Sequence, residues 1–212
     1  MSFVSHGRCL VAKNYEKPDF WSLKAQKEGY PARSVYKFKE MDEKFSLLKP
    51  RVRMLDLGAA PGSWSLYALR KLKGGSFLAA VDLAPLSRVY DNGLFDGENF
   101  FFIQGDMTSP DIKEKLLARG PYGLVICDAA PATTGNRSID TIRSLDLAET
   151  ALAIAEAALT KGGNLVVKVF QGGDSASFLK QIRAGFESGK SFKPQACRSE
   201  SFETYYLGLG KK

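Results

Sequence analysis

The chain has 212 residues, 44% of them hydrophobic and 25% charged, with a formal net charge of +7. That length fits one domain, at roughly 100–200 residues each, and no apolar run approaches the ~18 residues of a membrane span. With one histidine (His6) and three scattered cysteines, Ser-His-Asp chemistry, Cys-His chemistry, His-rich metal sites and a disulfide framework are all excluded.

Acid–base work must therefore fall to Lys, Asp, Glu or Tyr. His6 and Arg8 interrupt what would be the apolar core of a signal peptide, and unpaired cysteines suit a reducing cytoplasm. The excess charge is uneven. Residues 1–53 hold 12 Lys and Arg against 6 Asp and Glu, and the rest of the chain holds 18 against 17. Nucleic acid is the polyanion that matches such a surplus; the alternative is basic charge that merely keeps a surface soluble.

In chain order, residues 1–16 read as a loose arm, with at most a short strand at 9–12. Segments 18–30 and 33–45 read as two helices that interleave Lys24, Lys27, Arg33, Lys37 and Lys39 with Phe20, Trp21, Tyr30 and Tyr36. Basic side chains neutralise phosphates and aromatic faces stack unpaired bases, so residues 1–50 are expected to bind RNA; alternatively the aromatics anchor the helices to the core. From residue 51 onward the pattern is regular. Strands are predicted over 52–57, 77–81, 100–103, 122–127 and 164–170, with helices near 63–72, 109–119, 139–160 and 174–187. In the long helix Leu145, Ala148, Leu152, Ala155 and Leu159 share one face, and Lys161-Gly162-Gly163 marks its stop. Strands that alternate with helices predict a mostly parallel, doubly wound sheet with helices on both faces. The end departs from that rule: 191–197 and 202–209 are strand-like with no helix between them, as in an antiparallel edge hairpin. Residues 51–212 are thus expected to form the core of a single domain.

The stretch Asp56-Leu57-Gly58-Ala59-Ala60-Pro61-Gly62 reads as strand, glycine turn and helix, with Pro61 in the first helical turn. A Cβ at Gly58 or Gly62 would obstruct close approach of a ligand to this backbone. Three later strands end in aspartates: Asp82, Asp106 and Asp128. One such residue is ordinary capping or turn chemistry. Three in equivalent places point to a binding site, with Asp82 at the ribose hydroxyls of an adenosine cofactor and Asp106 near its adenine. A dinucleotide usually needs G-x-G-x-x-G to cradle its pyrophosphate, and the turn here reads G-A-A-P-G. S-adenosylmethionine carries no phosphate and suits this turn better. Trp64 either packs beside the cofactor or joins the core. Lys168 interrupts the apolar run Leu165 to Phe170, where an ammonium is costly unless it is paired, and its place beside Asp128 resembles a catalytic arrangement.

Seven stretches in order carry a resemblance: A-Q-K-E-G-Y-P-A-R-S-V-Y-K-F, D-L-G-A-A-P-G-S-W-S, V-D-L-A-P, Q-G-D, C-D-A-A-P, V-V-K-V-F-Q-G and E-T-Y-Y-L. In them the chain resembles the FtsJ family (also called RrmJ or RlmE), heat-shock methyltransferases that modify the ribose 2′-hydroxyl of ribosomal RNA. The resemblance implies a Rossmann-like S-adenosylmethionine-dependent fold, a seven-stranded sheet and a catalytic tetrad of Lys37, Asp128, Lys168 and Glu203. It also implies cofactor contacts at Gly58, Gly62, Trp64, Asp82, Asp106 and Asp128, and no metal. The implied substrate is a uridine ribose in large-subunit ribosomal RNA, met in the cytoplasm by a monomer that needs no membrane. Ser63 stands where the family usually has a second glycine, and a shifted turn there would move Gly62 and Trp64. Within the tetrad Lys168 acts either as a neutral base or as a cation steadying the developing alkoxide. The rival readings are transfer-RNA methylation by the same site, a nicotinamide-dependent oxidoreductase, and an RNA-binding protein with a dead fold.

Overall fold

The computed structural model describes residues 19–72, 75–198 and 200–212, so the expected N-terminal arm, His6 and Cys9 lie outside the described residues. Two helices come first, α1 (Phe20–Lys27) and α2 (Val35–Phe45). Then β1 (Arg53–Leu57), α3 (Ser63–Lys71), β2 (Phe77–Asp82), β3 (Phe100–Gln104), α4 (Pro110–Leu117) and β4 (Tyr122–Cys127) follow. The chain closes with α5 (Arg137–Ala158), β5 (Leu159–Phe170), α6 (Ser175–Gly185), β6 (Phe186–Phe192) and β7 (Glu203–Lys211). Among the described residues no helix is long and apolar enough to cross a membrane.

One seven-stranded sheet runs in the order β3-β2-β1-β4-β5-β7-β6. The first five strands are parallel, and β7 runs antiparallel to both β5 and β6. Strands buried on both faces need apolar residues at every position, which is why these segments read as continuous hydrophobic runs. Met54, Leu78, Ala80, Leu124, Ile126 and Val166 face a core built with α1, α2 and α3; Leu55, Ala79, Val125 and Val167 face α4, α5 and α6. The order changes direction between β1 and β4, the place where open α/β sheets leave a crevice at their carboxyl ends.

Three local expectations change. The final antiparallel pair begins at Phe186, not near residue 191: Phe186 is fully buried, and its strand is set by pairing with β7 rather than by the weak strand propensity of Glu187-Ser188-Gly189-Lys190. The Lys161-Gly162-Gly163 stop lies inside β5, in a register shift opposite Tyr122 and Leu124, because α5 passes directly into the strand. Pro61 sits in the turn, since α3 starts at Ser63 with Gly62 as its N-cap.

The turn itself requires glycine. Gly58 has φ +76°, and a Cβ there would lie 2.7 Å from the backbone of Ala129; Gly62 has φ +101° and would press on the Phe95 ring. What fills the space is protein rather than ligand, so these glycines let β1, β4 and the segment before β3 close together. Gly58→Ala combines a left-handed backbone penalty with an immovable backbone contact. It should cost about 2–4 kcal/mol, read as a lower denaturation midpoint at unchanged slope in a urea titration.

Candidate active site

At the carboxyl ends of β1 to β4 lies a cleft of about 280 Å³. Gly58, Asp82, Asp106 and Asp128 line it, together with Ala60, Leu83, Met107, Ala129 and Leu147. Gly62 and Trp64 do not. The Trp64 side chain is a core residue: it is buried, its ring stacks on Phe38 at 4.9 Å, and its Nε1–H donates to the Ser34 carbonyl at 2.7 Å.

The carboxylates differ in what they are free to do. Asp82 accepts from the Ala60 and Ala84 amides, one on each oxygen (2.9 and 2.8 Å), which fixes its plane and leaves further lone pairs open toward the cleft. Asp106 accepts from the Thr108 amide at 2.8 Å, a bond that lowers its pKa and makes it a turn residue as well as a lining one. In the sequence Asp56 reads only as the strand residue ahead of the glycine turn. Its carboxyl is buried beneath the turn; Ser65 donates to Oδ2 at 2.6 Å and Oδ1 has no partner. Burial raises its pKa to about 7, and the negative charges of Asp128 and Asp82 push the same way.

The four residues of the expected tetrad form two ion pairs. Lys168 Nζ lies 3.0 Å from Asp128 Oδ1 and also donates to the Asp128 carbonyl; Lys37 Nζ lies 2.7 Å from Glu203 Oε1. Lys168 is only 8% exposed. Burial alone would lower its pKa, but Asp128, then Glu203, outweigh that and raise it, so the resting amine is an ammonium. A further member was not visible in the sequence. Tyr205 lies opposite Lys168 in the β5–β7 register, is fully buried, and donates its hydroxyl to Asp128 Oδ1 at 2.7 Å. Cys197, half-buried near Glu203, has its thiol pushed up to about 12 by burial, so it stays protonated.

The segment that carries Lys37 is held by the turn. Ser63 Oγ accepts from the Ala32 amide at 2.8 Å, a bond glycine cannot make, and Trp64 holds Ser34 from the next position. Arg33 is spent here too, on Asp19 and the Ala196 carbonyl. Of the aromatics expected to meet RNA, Tyr36 and Trp21 pack together at 5.0 Å and Tyr30 lies under Arg70, whereas Phe20 is 68% exposed. Among the described residues no cluster of His, Cys, Asp or Glu is placed to hold a metal ion.

The sequence profile of the FtsJ-like methyltransferases matches residues 30–211. The chain belongs to that family. A relative from Treponema denticola named "Ribosomal RNA large subunit methyltransferase E" is 54% identical over 204 residues, covering 95% of this chain and all of the relative. One of the same name from Borreliella afzelii is 48% identical, covering 90% and 96%. Among solved structures, a protein described as a ribosomal RNA methyltransferase from Plasmodium falciparum superposes with a TM-score of 0.70 at 24% identity, covering 86% of this chain and 98% of that one. Human methyltransferase-like protein 13, solved with S-adenosylhomocysteine, gives 0.58 at 15% identity, with 82% of each chain covered. At those identities the likeness speaks for the fold alone.

Asp56 makes stability depend on pH in a definite direction. Its folded value lies above the ordinary 3.8 of the unfolded chain. Its contribution is therefore fully present below about 3.8 and is lost progressively as pH rises from there through about 7. Asp56→Asn should remove this loss. Between pH 5 and pH 8 the wild type should fall relative to the variant by an amount on the order of a few kcal/mol, measured by urea denaturation at each pH.

Proposed function

We propose that this chain transfers the methyl group of S-adenosylmethionine to a ribose 2′-hydroxyl, that of a uridine in large-subunit ribosomal RNA. The observation that carries the reading is the ammonium of Lys168, held against Asp128 at the rim of the cleft inside an otherwise apolar strand. Curated relatives named for large-subunit ribosomal RNA support the substrate class.

The residues present fit this cofactor. In the β1–α3 turn the Gly58 and Ala59 amides donate to Val81, the Ala60 amide to Asp82 and the Gly62 amide to Ala59, while Pro61 has none. The turn's own N–H groups are thus engaged and its third fingerprint glycine is missing, so a phosphate-free adenosine compound suits it better than a dinucleotide. Asp82 would hold the ribose hydroxyls, Leu83 and Met107 would flank the adenine, and Asp106 would lie near its edge. When bound, the cofactor supplies an electrophilic sulfonium methyl.

The substrate oxygen is a very weak acid, and the tetrad addresses that difficulty. Lys168 enters protonated, as a cation aimed at the negative charge that develops on the oxygen; the hydroxyl proton, made acidic as the O–CH3 bond forms and the methyl leaves sulfur, passes to water. Asp128 and Tyr205 fix where Nζ points, and the Lys37–Glu203 pair closes the other side. Alignment of the sugar oxygen with the methyl should supply much of the acceleration. Lys27 on α1 offers a phosphate contact, as does Lys24, which lies over the Trp21 and Tyr36 rings beside Glu28, whereas Arg33 is already engaged with Asp19 and Ala196.

Incubation with S-adenosylmethionine and unmodified ribosomal RNA, followed by nucleoside mass spectrometry, should give 2′-O-methyluridine. A base-methylated nucleoside, or methylation of transfer RNA alone, would overturn the assignment. Lys168→Ala should bind S-adenosylmethionine within a few-fold of wild type yet lose kcat by at least about 10²–10³-fold, the scale of removing one charge-stabilising donor. Equal turnover would remove Lys168 from its role. Reversing both Lys24 and Lys27 to Glu should weaken RNA binding and flatten its salt dependence. The slope of log affinity against log salt should fall by about one for each phosphate no longer neutralised, read from filter binding at several salt concentrations.

A further inference from the structure

A second cavity, of about 470 Å³, lies between the start of α5 and the loop that follows β5. Arg137 is the one cation among the described residues that line it, and Gly172 and Gly173 form part of its wall. Arg137 is exposed, and its guanidinium lies 5.2 Å from the centre of the Phe202 ring. Phe202 is in turn braced edge-on by Phe170 at 4.6 Å, and the Gln171 amide donates to its carbonyl at 2.8 Å.

This pair is tied to the tetrad through the backbone. Phe202 precedes Glu203, and Phe170 stands opposite Glu203 in the β5–β7 register, two residues beyond Lys168 on the same face of the strand. A flat guanidinium over a braced aromatic ring is therefore held at a fixed remove from the site of chemistry. Beyond Arg137 the cavity is lined by Asp146, Glu149 and Asp174, which repel phosphate, and by Ile142, which is 61% exposed. A nucleobase suits such walls and a sugar–phosphate backbone does not. Unpaired RNA bases are held in this way, on aromatic faces and Arg planes.

We infer that Arg137 and Phe202 form a stacking plate for the unpaired base next to the ribose being methylated, with the cavity beyond receiving that base. The inference rests on the RNA reading of the site. It makes these two residues determinants of substrate choice, remote from the cofactor.

The test uses the full chain and an RNA oligonucleotide carrying the nucleotide found by mass spectrometry. Arg137→Ala and Phe202→Leu should each raise KM for RNA about tenfold, within the range expected for removal of one base stack. Neither should change kcat by more than about twofold or alter S-adenosylmethionine affinity by calorimetry, as binding made equally in ground and transition states requires. Arg137→Lys keeps the charge but loses the plane, so it should behave like Arg137→Ala. On RNA made abasic at the neighbouring position, wild type and variants should converge. Because Arg137 is exposed, its substitution tests the plate even if Phe202→Leu disturbs packing. An unchanged KM in Arg137→Ala, full rescue by Lys, or the same loss on abasic RNA would overturn the inference while leaving the methyltransferase reading intact. A wild-type protein that methylates no RNA would overturn both.

Discussion

A single buried ammonium dictates the layout of this site. Lys168 lies between Val167 and Val169 in a strand with apolar neighbours on both sides, and an unpaired charge there would cost several kcal/mol. Asp128 repays that cost only because three strand ends meet at one height. It leaves β4, faces Lys168 on β5, and takes the hydroxyl of Tyr205 on β7. Tyr205 is itself fully buried and needs a partner for its O–H, so the same carboxylate satisfies two groups that would otherwise be stranded. Loss of the Asp128 carboxylate would leave the ammonium without its counter-charge and the Tyr205 hydroxyl without its acceptor, which is why the geometry of the ammonium is so strongly determined.

The other ion pair ties the N-terminal helices to the sheet. Glu203 opens β7, and Lys37 lies on α2, far away in sequence. What brings them together is a set of bonds around the residues that precede each. Ser63 and Trp64 grip the linker before α2, while Glu40 accepts the amides of Gln195 and Ala196 in the segment before β7. Arg33 bridges the same two regions through Asp19 and Ala196. The basic residues of this quarter of the chain are thus partly structural. That finding divides a charge surplus that composition alone treats as one feature.

Much of the architecture was legible because doubly covered strands must be apolar throughout, and a lysine within one is conspicuous. The aspartates at strand ends were legible for the same reason. Less was visible where tertiary pairing overrides local preference. The sequence from Phe186 to Phe192 has little strand character, yet it forms an edge strand because β7 offers it a partner. Trp64 follows the glycine turn like a ligand contact, but the Phe38 ring on another helix claims it. Tyr205 and Asp56 look like interior residues of their strands. What sets them apart is a hydroxyl aimed at a carboxylate 77 residues away and a carboxyl oxygen left bare, and neither can be read without the fold.

Strand periodicity also accounts for the charge of the cleft. Successive side chains on one face lie two residues apart, so Met54 is followed by Asp56, Ala80 by Asp82, Ile126 by Asp128 and Val166 by Lys168. On this face four neighbouring strands change from apolar to ionisable at their carboxyl ends. Three of the four groups are acids, and the influence of Asp128 and Asp82 on Asp56 shows that they sense one another. With one ammonium among them, the local potential favours a ligand that brings positive charge and opposes one that brings phosphate. The alternation that fills the core thus also gathers ionisable groups along one crevice.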